Sequence, residues 1–126
     1  MVEATQFRLE LDQAYQKKVV ERLEQQVRAV AFIVDAQLVD NTPVDTGRAR
    51  ANWLPSLNIP ALFSSSSLSP PGAAGVAQTV QSYSIEDTVF ITNNLVYIKP
   101  LNEGHSAQAP AGFVEAAIQV GKDAIR

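Results

Sequence analysis

The chain has no cysteine among its 126 residues. Disulfide staples, zinc thiolates and thiol nucleophiles are therefore excluded. One histidine, His105, rules out a multi-histidine metal site. Basic residues do not predominate: ten Lys and Arg stand against thirteen Asp and Glu, with a net charge of −3. General binding to nucleic acid or to an anionic membrane would call for the opposite balance. No apolar run approaches the roughly 20 residues that cross a bilayer. The opening Met1–Gln6 has neither the basic nor the apolar region of a secretory signal, so the chain is expected to fold in the cytoplasm that makes it. No glycine-rich phosphate loop occurs, and the Ser64–Ser67 run has no base nearby to activate a nucleophile.

What is present reads as one domain over residues 1–126, with 46% hydrophobic and 18% charged residues. Residues 1–12 are polar, with Phe7, Leu9 and Leu11 alternating; they read as a flexible arm or a short strand pairing with a neighbour. From Gln13 to Asp40 the apolar residues Val20, Leu23, Val27, Val30, Val34 and Leu38 recur at three- and four-residue steps, the period of one helical face. The run Ala29–Val34 is apolar nearly all round, so the second half of this helix is expected to be the deeper one. Pro43 ends it, because a proline pushes the preceding residue out of the α region.

Trp53–Ile59 alternates as a strand, confined by Pro55 to an edge or a bulge. Residues 60–72 (serine-rich, closed by Pro70-Pro71) read as a flexible loop carrying the homeless apolar residues Leu62, Phe63 and Leu68. Ala73 to about Tyr83 suits a short helix, and Asp87–Asn93, β-branched and aromatic, suits a strand. Asn93-Asn94 signals a turn, while Leu95–Leu101 is ambiguous around Pro100. Pro110 fits the first turn of a closing helix with Phe113, Val114, Ala117, Ile118 and Ile125 inward and Gly121 weakening its tail. The expected fold is α+β: a long N-terminal helix packed on a small antiparallel sheet, with a second helix at the C-terminus.

The segment Thr42-Pro43-Val44-Asp45-Thr46-Gly47-Arg48-Ala49-Arg50-Ala51-Asn52-Trp53 is the most distinctive in the chain. Asp45-Thr46-Gly47 is the tripeptide of aspartic proteases, whose two carboxylates share a proton, so one copy per chain would require a dimer. Such a fold is nearly all β, yet here a long helix precedes the tripeptide and no apolar strand leads into it. The alternative is a structural turn: Pro43 fixes φ, Asp45 caps local N–H groups, Thr46 follows, and Gly47 takes φ > 0. Arg48 and Arg50 fall on one face of an extended segment, or of the start of a strand, suited to pairing with carboxylates of the same or a neighbouring chain. Trp53 suits core or interface packing.

Together with Asp87–Glu115, this segment resembles tailed-bacteriophage tail-completion proteins, also described as neck, head–tail joining or minor tail proteins. There a strand leads into an Asn-Asn-Leu-Pro-Tyr type turn, then Leu-x-x-Gly-x-Ser, then Gln-Ala-Pro-x-Gly and a closing helix. The chain has Asn93-Asn94-Leu95, Leu101 to Ser106 and Gln108 to Gly112 in the same order, with Val96 where the proline is usual. The resemblance implies a non-enzymatic virion protein, without cofactors, metal or membrane attachment. It would form a ring, expected to be a hexamer, between connector or neck proteins and the tail terminator or tube, and DNA would pass through the lumen without specific binding. Arg48, Arg50, Trp53, Leu62, Phe63 and Leu68 are the expected contacts to neighbours. The reading from another class is the dimeric protease acting through Asp45.

Overall fold

The structure is a computed structural model that describes residues 4–44, 47–104 and 111–125. Its order is α1 (Ala4–Asn41), α2 (Arg48–Ala51), β1 (Leu54–Leu57), α3 (Gly72–Val80), β2 (Val89–Thr92), α4 (Ile98–Asn102) and α5 (Phe113–Asp123). This is an α+β fold in which α3 and α5 pack on α1, and β1 pairs with β2 in a two-stranded antiparallel sheet.

Helix α1 runs for 38 residues, about 57 Å at 1.5 Å per residue. It begins at Ala4, so the strand reading at Phe7, Leu9 and Leu11 is corrected: those positions lie within the helix. A period-2 pattern over three residues is weaker than the helix-forming Glu, Gln, Lys and Leu that surround it. Burial rises along the helix as the sequence implies. Every side chain from Glu10 to Val19 is exposed, whereas Ala31, Asp35 and Leu38 are buried. Among the described side chains the first of α1 to bond another element is Glu24, which accepts from the Ile85 N–H at 3.0 Å.

Two apolar clusters flank the inner half of α1. Leu38, Trp53, Phe113 and Ala117 form one, toward α5. Ala31, Val76, Val80 and Tyr83 form the other, toward α3. The sheet closes over both, with Ile91 packed against the first and Leu57 and Val89 against the second. Gly121 is a packing residue, not the weak point its composition suggested. A Cβ there would lie 2.5 Å from Val34 Cγ2, so its absence sets how closely α5 lies on α1. Ile118 and Ile125, expected inward, are 44% and 51% exposed.

The sheet is short because Asn58, with φ 66°, turns the chain out of β1, leaving Ile59 exposed. The register pairs Leu54 with Thr92 and Leu57 with Val89. Each strand keeps one outer edge without a strand partner among the described residues. Pro100 lies within α4; as the third residue of a short helix it sits where no intrahelical N–H bond is needed. Helix α5 starts at Phe113, with Gly112 at its N-cap. Pro110, expected in its first turn, and the Asp45-Thr46 pair lie outside the described residues.

Arg28 of α1 closes the end of α3. Its Nε donates to the Val80 carbonyl at 3.2 Å and its Nη2 to the Tyr83 carbonyl at 2.8 Å. The guanidinium also lies 5.8 Å from the Tyr83 ring centre. It adds donors to the Val80 carbonyl, which also accepts the Tyr83 N–H at 3.1 Å, and to the Tyr83 carbonyl just beyond α3.

Candidate functional site: the Thr42–Trp53 junction

The segment after α1 is a hydrogen-bonded junction. Thr42 is fully buried. Its N–H donates to the Leu38 carbonyl at 3.1 Å, and its hydroxyl donates to that same oxygen. The Trp53 indole N–H donates in turn to the Thr42 hydroxyl at 2.8 Å. Arg50 completes the cap, donating from Nε to the Thr42 carbonyl at 2.8 Å and from Nη2 to the Asp40 carbonyl at 3.2 Å. The open carbonyls at the end of a long helix are thus met by side chains from a turn ten residues on.

Gly47 has φ 89°, as the turn reading requires. It has a second constraint that the sequence does not show: a Cβ at Gly47 would stand 2.8 Å from the Leu68 carbonyl oxygen. The serine-rich loop therefore lies directly on the turn. Asn52, fully buried, holds it there. Its Nδ2 donates to the Arg48 carbonyl at 2.8 Å and the Ser65 carbonyl at 3.0 Å, and its Oδ1 accepts the Ser65 N–H at 2.7 Å. Arg48 Nε adds a contact to the Ser65 carbonyl at 3.3 Å.

The two sequence blocks meet here. Asn93 Nδ2 donates to the Ala49 carbonyl at 3.0 Å, and Asn94 Nδ2 donates to the carbonyls of Ala61 at 2.6 Å and Phe63 at 3.0 Å. Asn102 then receives the Val114 N–H at 2.9 Å, capping the first turn of α5. The sequence does not mark Asn52, Asn93, Asn94 and Asn102 as individual anchors. Asparagine carries both donor and acceptor and so suits irregular backbone, but apart from the Arg48 carbonyl the partners named here lie 12 to 44 residues away, beyond the reach of a local motif.

Of the residues expected to contact neighbours, Leu62, Phe63 and Leu68 are 83%, 64% and 59% exposed. Trp53 is corrected to a core residue, 6% exposed within the α5-side cluster. Arg48 and Arg50 are corrected from an extended segment to helix α2, and both bond backbone carbonyls within the chain. Their sequence alternation was read as period 2 because the helix is only four residues long, too short to display its own period.

Two further features bear on function. An open apolar groove of about 480 Å³ is lined by Val30, Val34, Ile91, Val114 and Ile118 among others. A smaller pocket of about 210 Å³ lies between α1 and the start of α3 and is lined in part by Asp35 and Asp40. Asp35 is 3% exposed, and burial pushes its carboxyl up to about 6. Asp87 goes the other way: bonds from the Asn58 side chain and the Ser84 N–H hold it below the usual carboxylate value. Among the described residues no group of three or more His, Cys, Asp or Glu could hold a metal ion, and no helix is long and apolar enough to cross a membrane.

Comparison with family models, curated proteins and solved structures gave no match, so the likeness to tail-completion proteins rests on the two residue blocks and on nothing outside the chain.

Proposed function

We propose that the chain is a structural protein of a tailed-phage virion, a tail-completion or neck adaptor. In this reading its copies close into a ring at the head–tail junction, expected to be six-fold, through which DNA passes. The observation that carries the reading is the outer half of α1. Glu10–Val19 is exposed on every face for nearly three turns and presents Leu11 at 54% and Tyr15 at 71% exposure. A helix of that kind has no packing reason to persist in a lone domain. It suits a subunit completed by its neighbours, as do the two open strand edges and the exposed Leu62, Phe63 and Leu68. Closed rings are built from such non-identical, head-to-tail patches. The net charge of −3 suits a lumen past which DNA slides without being held.

The Thr42–Trp53 junction supports the same reading. Among its described side chains, Thr42, Arg48, Arg50, Asn52 and Trp53 cap α1 and seat the loop, which is architecture, not chemistry. The protease reading needs an almost wholly β half-enzyme, whereas Gly47 leads directly into helix α2 and the described sheet has two strands.

The test is native mass over a concentration series, followed by electron microscopy of any large species. A closed ring with a central hole is the expected result. A compact dimer that cleaves peptides, and stops doing so on Asp45→Asn, would replace the proposal with the protease.

A further inference from the structure

The pocket between α1 and α3 has an unusual lining. Its walls include Phe32, Val39 and Ala73, and its titratable lining residues are Asp35 and Asp40. Asp35 is 97% buried, taking its 3% exposure from unity, and no bond to its carboxylate is found among the described residues. No described side-chain oxygen or nitrogen that is sealed from solvent lacks a partner. What little of Asp35 is accessible is therefore its carboxylate, facing the open pocket. A carboxylate this nearly buried and without a protein bond is poorly solvated, and here it faces a slot with room for a guest. The sequence of α3, GAAGVAQTV, contains no titratable residue, so Asp35 and Asp40 are the charged residues of the lining, with Arg50 outside it on the Asp40 carbonyl. The N-terminus of α3 adds about half a positive charge, too little to offset two carboxylates.

The complementary group is on the same chain but out of reach. Lys17 and Lys18 lie on the exposed half of α1, between Tyr15 and Val19, and bond no described residue. Lys18 and Asp35 are 35 − 18 = 17 residues apart on one helix, about 26 Å at 1.5 Å per residue. They cannot meet within one copy.

We infer that the Asp35 slot receives a lysine from the Lys17-Lys18 pair of a second copy, making a head-to-tail joint between chains. The match is one of charge and of surface together. The lysine stem is apolar and its ammonium is the donor, as a slot with apolar walls and a carboxylate floor requires. Once the ammonium is seated, Tyr15 or Val19 comes against the pocket rim, covering apolar area that the lone chain leaves in water. The slot and the lysines are different patches, so each joint leaves one free slot and one free lysine pair. Joints of this type continue until a ring closes. The inference rests on the proposed ring for its biological setting, though the joint can be tested separately.

Two variants each remove one half of the joint: Asp35→Asn, and the double variant Lys17→Ala with Lys18→Ala. The second changes only exposed side chains, so it remains informative if the first misfolds. Loss of one partner of a buried charged pair costs about 2 kcal/mol or more, which is about a 30-fold weakening of self-association. Sedimentation velocity should show each variant as monomer where the wild type associates. Mixing the two variants should restore association only as far as dimers, because one intact joint forms and no second one can follow. Variants that associate like the wild type, a mixture that stays monomeric, or a wild type that never self-associates would each overturn the joint. Wild-type assemblies that depend on both variant sites yet show no central hole would sink the ring and leave the joint standing.

Discussion

Single residues in this chain carry constraints that their local sequence does not display. Gly47 is the clearest. Its φ of 89° alone would favour glycine, and the Leu68 carbonyl 2.8 Å from the position of a Cβ adds a steric demand. Gly47→Ala must therefore strain the turn and also push the loop away. We expect a loss of about 2–4 kcal/mol, summing the usual costs of a left-handed non-glycine residue and of overpacking. Faster proteolysis within residues 60–71 should accompany it. Thermal melts and limited digestion measure the two effects, and an alanine variant with unchanged loop cleavage would show that the turn does not seat the loop. Asp35 gives a second expectation, in pH. Its folded carboxyl titrates near 6 instead of 3.8, so the folded chain holds this proton more tightly than the unfolded one. The contribution to stability is greatest below pH 4, declines as pH rises from 4 to 6, and is flat above that. The full span is at most about 3 kcal/mol for a shift near two units. Asp87 has the reverse sign, with stability present at neutral pH and lost only as pH falls below the usual carboxylate range. Denaturant midpoints of the wild type and of Asp35→Asn between pH 4 and 7 should diverge with rising pH, the variant being the more stable at pH 7. Parallel curves would mean that Asp35 is hydrated in solution.

At the scale of elements, the sequence is legible where a pattern repeats and opaque where a contact is distant. The three- and four-residue recurrence from Val20 to Leu38 identifies α1 and even its deeper half, because burial of a helical face must recur with its period. The β-branched and aromatic residues of Asp87–Asn93 mark β2, Val89–Thr92, by strand propensity instead of period. The α2 turn is four residues and its helical character comes from capping α1, so neither arginine could reveal it. Residues 60–72 read as unpatterned loop, and all but Gly72, the first residue of α3, lack regular structure. What the composition cannot say is that Asn52 and Asn94 fasten their backbone at Ser65, Ala61 and Phe63. The junction residues themselves, Thr42 to Trp53, stand out in sequence, but their task does not: a capped helix end and a seated loop leave no periodic trace. Likewise Gly121 looks like a weak helix residue until Val34 is found packed over it.

At the scale of the whole molecule, the decisive feature is how unevenly α1 is held. Its inner half lies between two apolar clusters and receives α3, α5 and the sheet, while Glu10–Val19 is in contact with solvent on all sides. A helix needs about 12–15 residues to be even marginally stable in water without packing, so the outer turns depend on propagation from the inner half. Local opening there should be cheap, while opening near Leu38 should approach the cost of global unfolding. Hydrogen exchange followed by mass spectrometry on a dilute monomer should therefore show rapid exchange for peptides covering Glu10–Val19 and strong protection for those covering Ala31–Leu38. In an assembly the contrast should fall, because a neighbour then covers Tyr15 and Val19. A monomer whose α1 is protected evenly along its length would contradict this, since its outer half would then be packed on something within the chain. An assembly in which Glu10–Val19 stays as exchangeable as before would show that the ring, if formed, is held by other surfaces, and would shift the weight to Leu62, Phe63 and the open sheet edges.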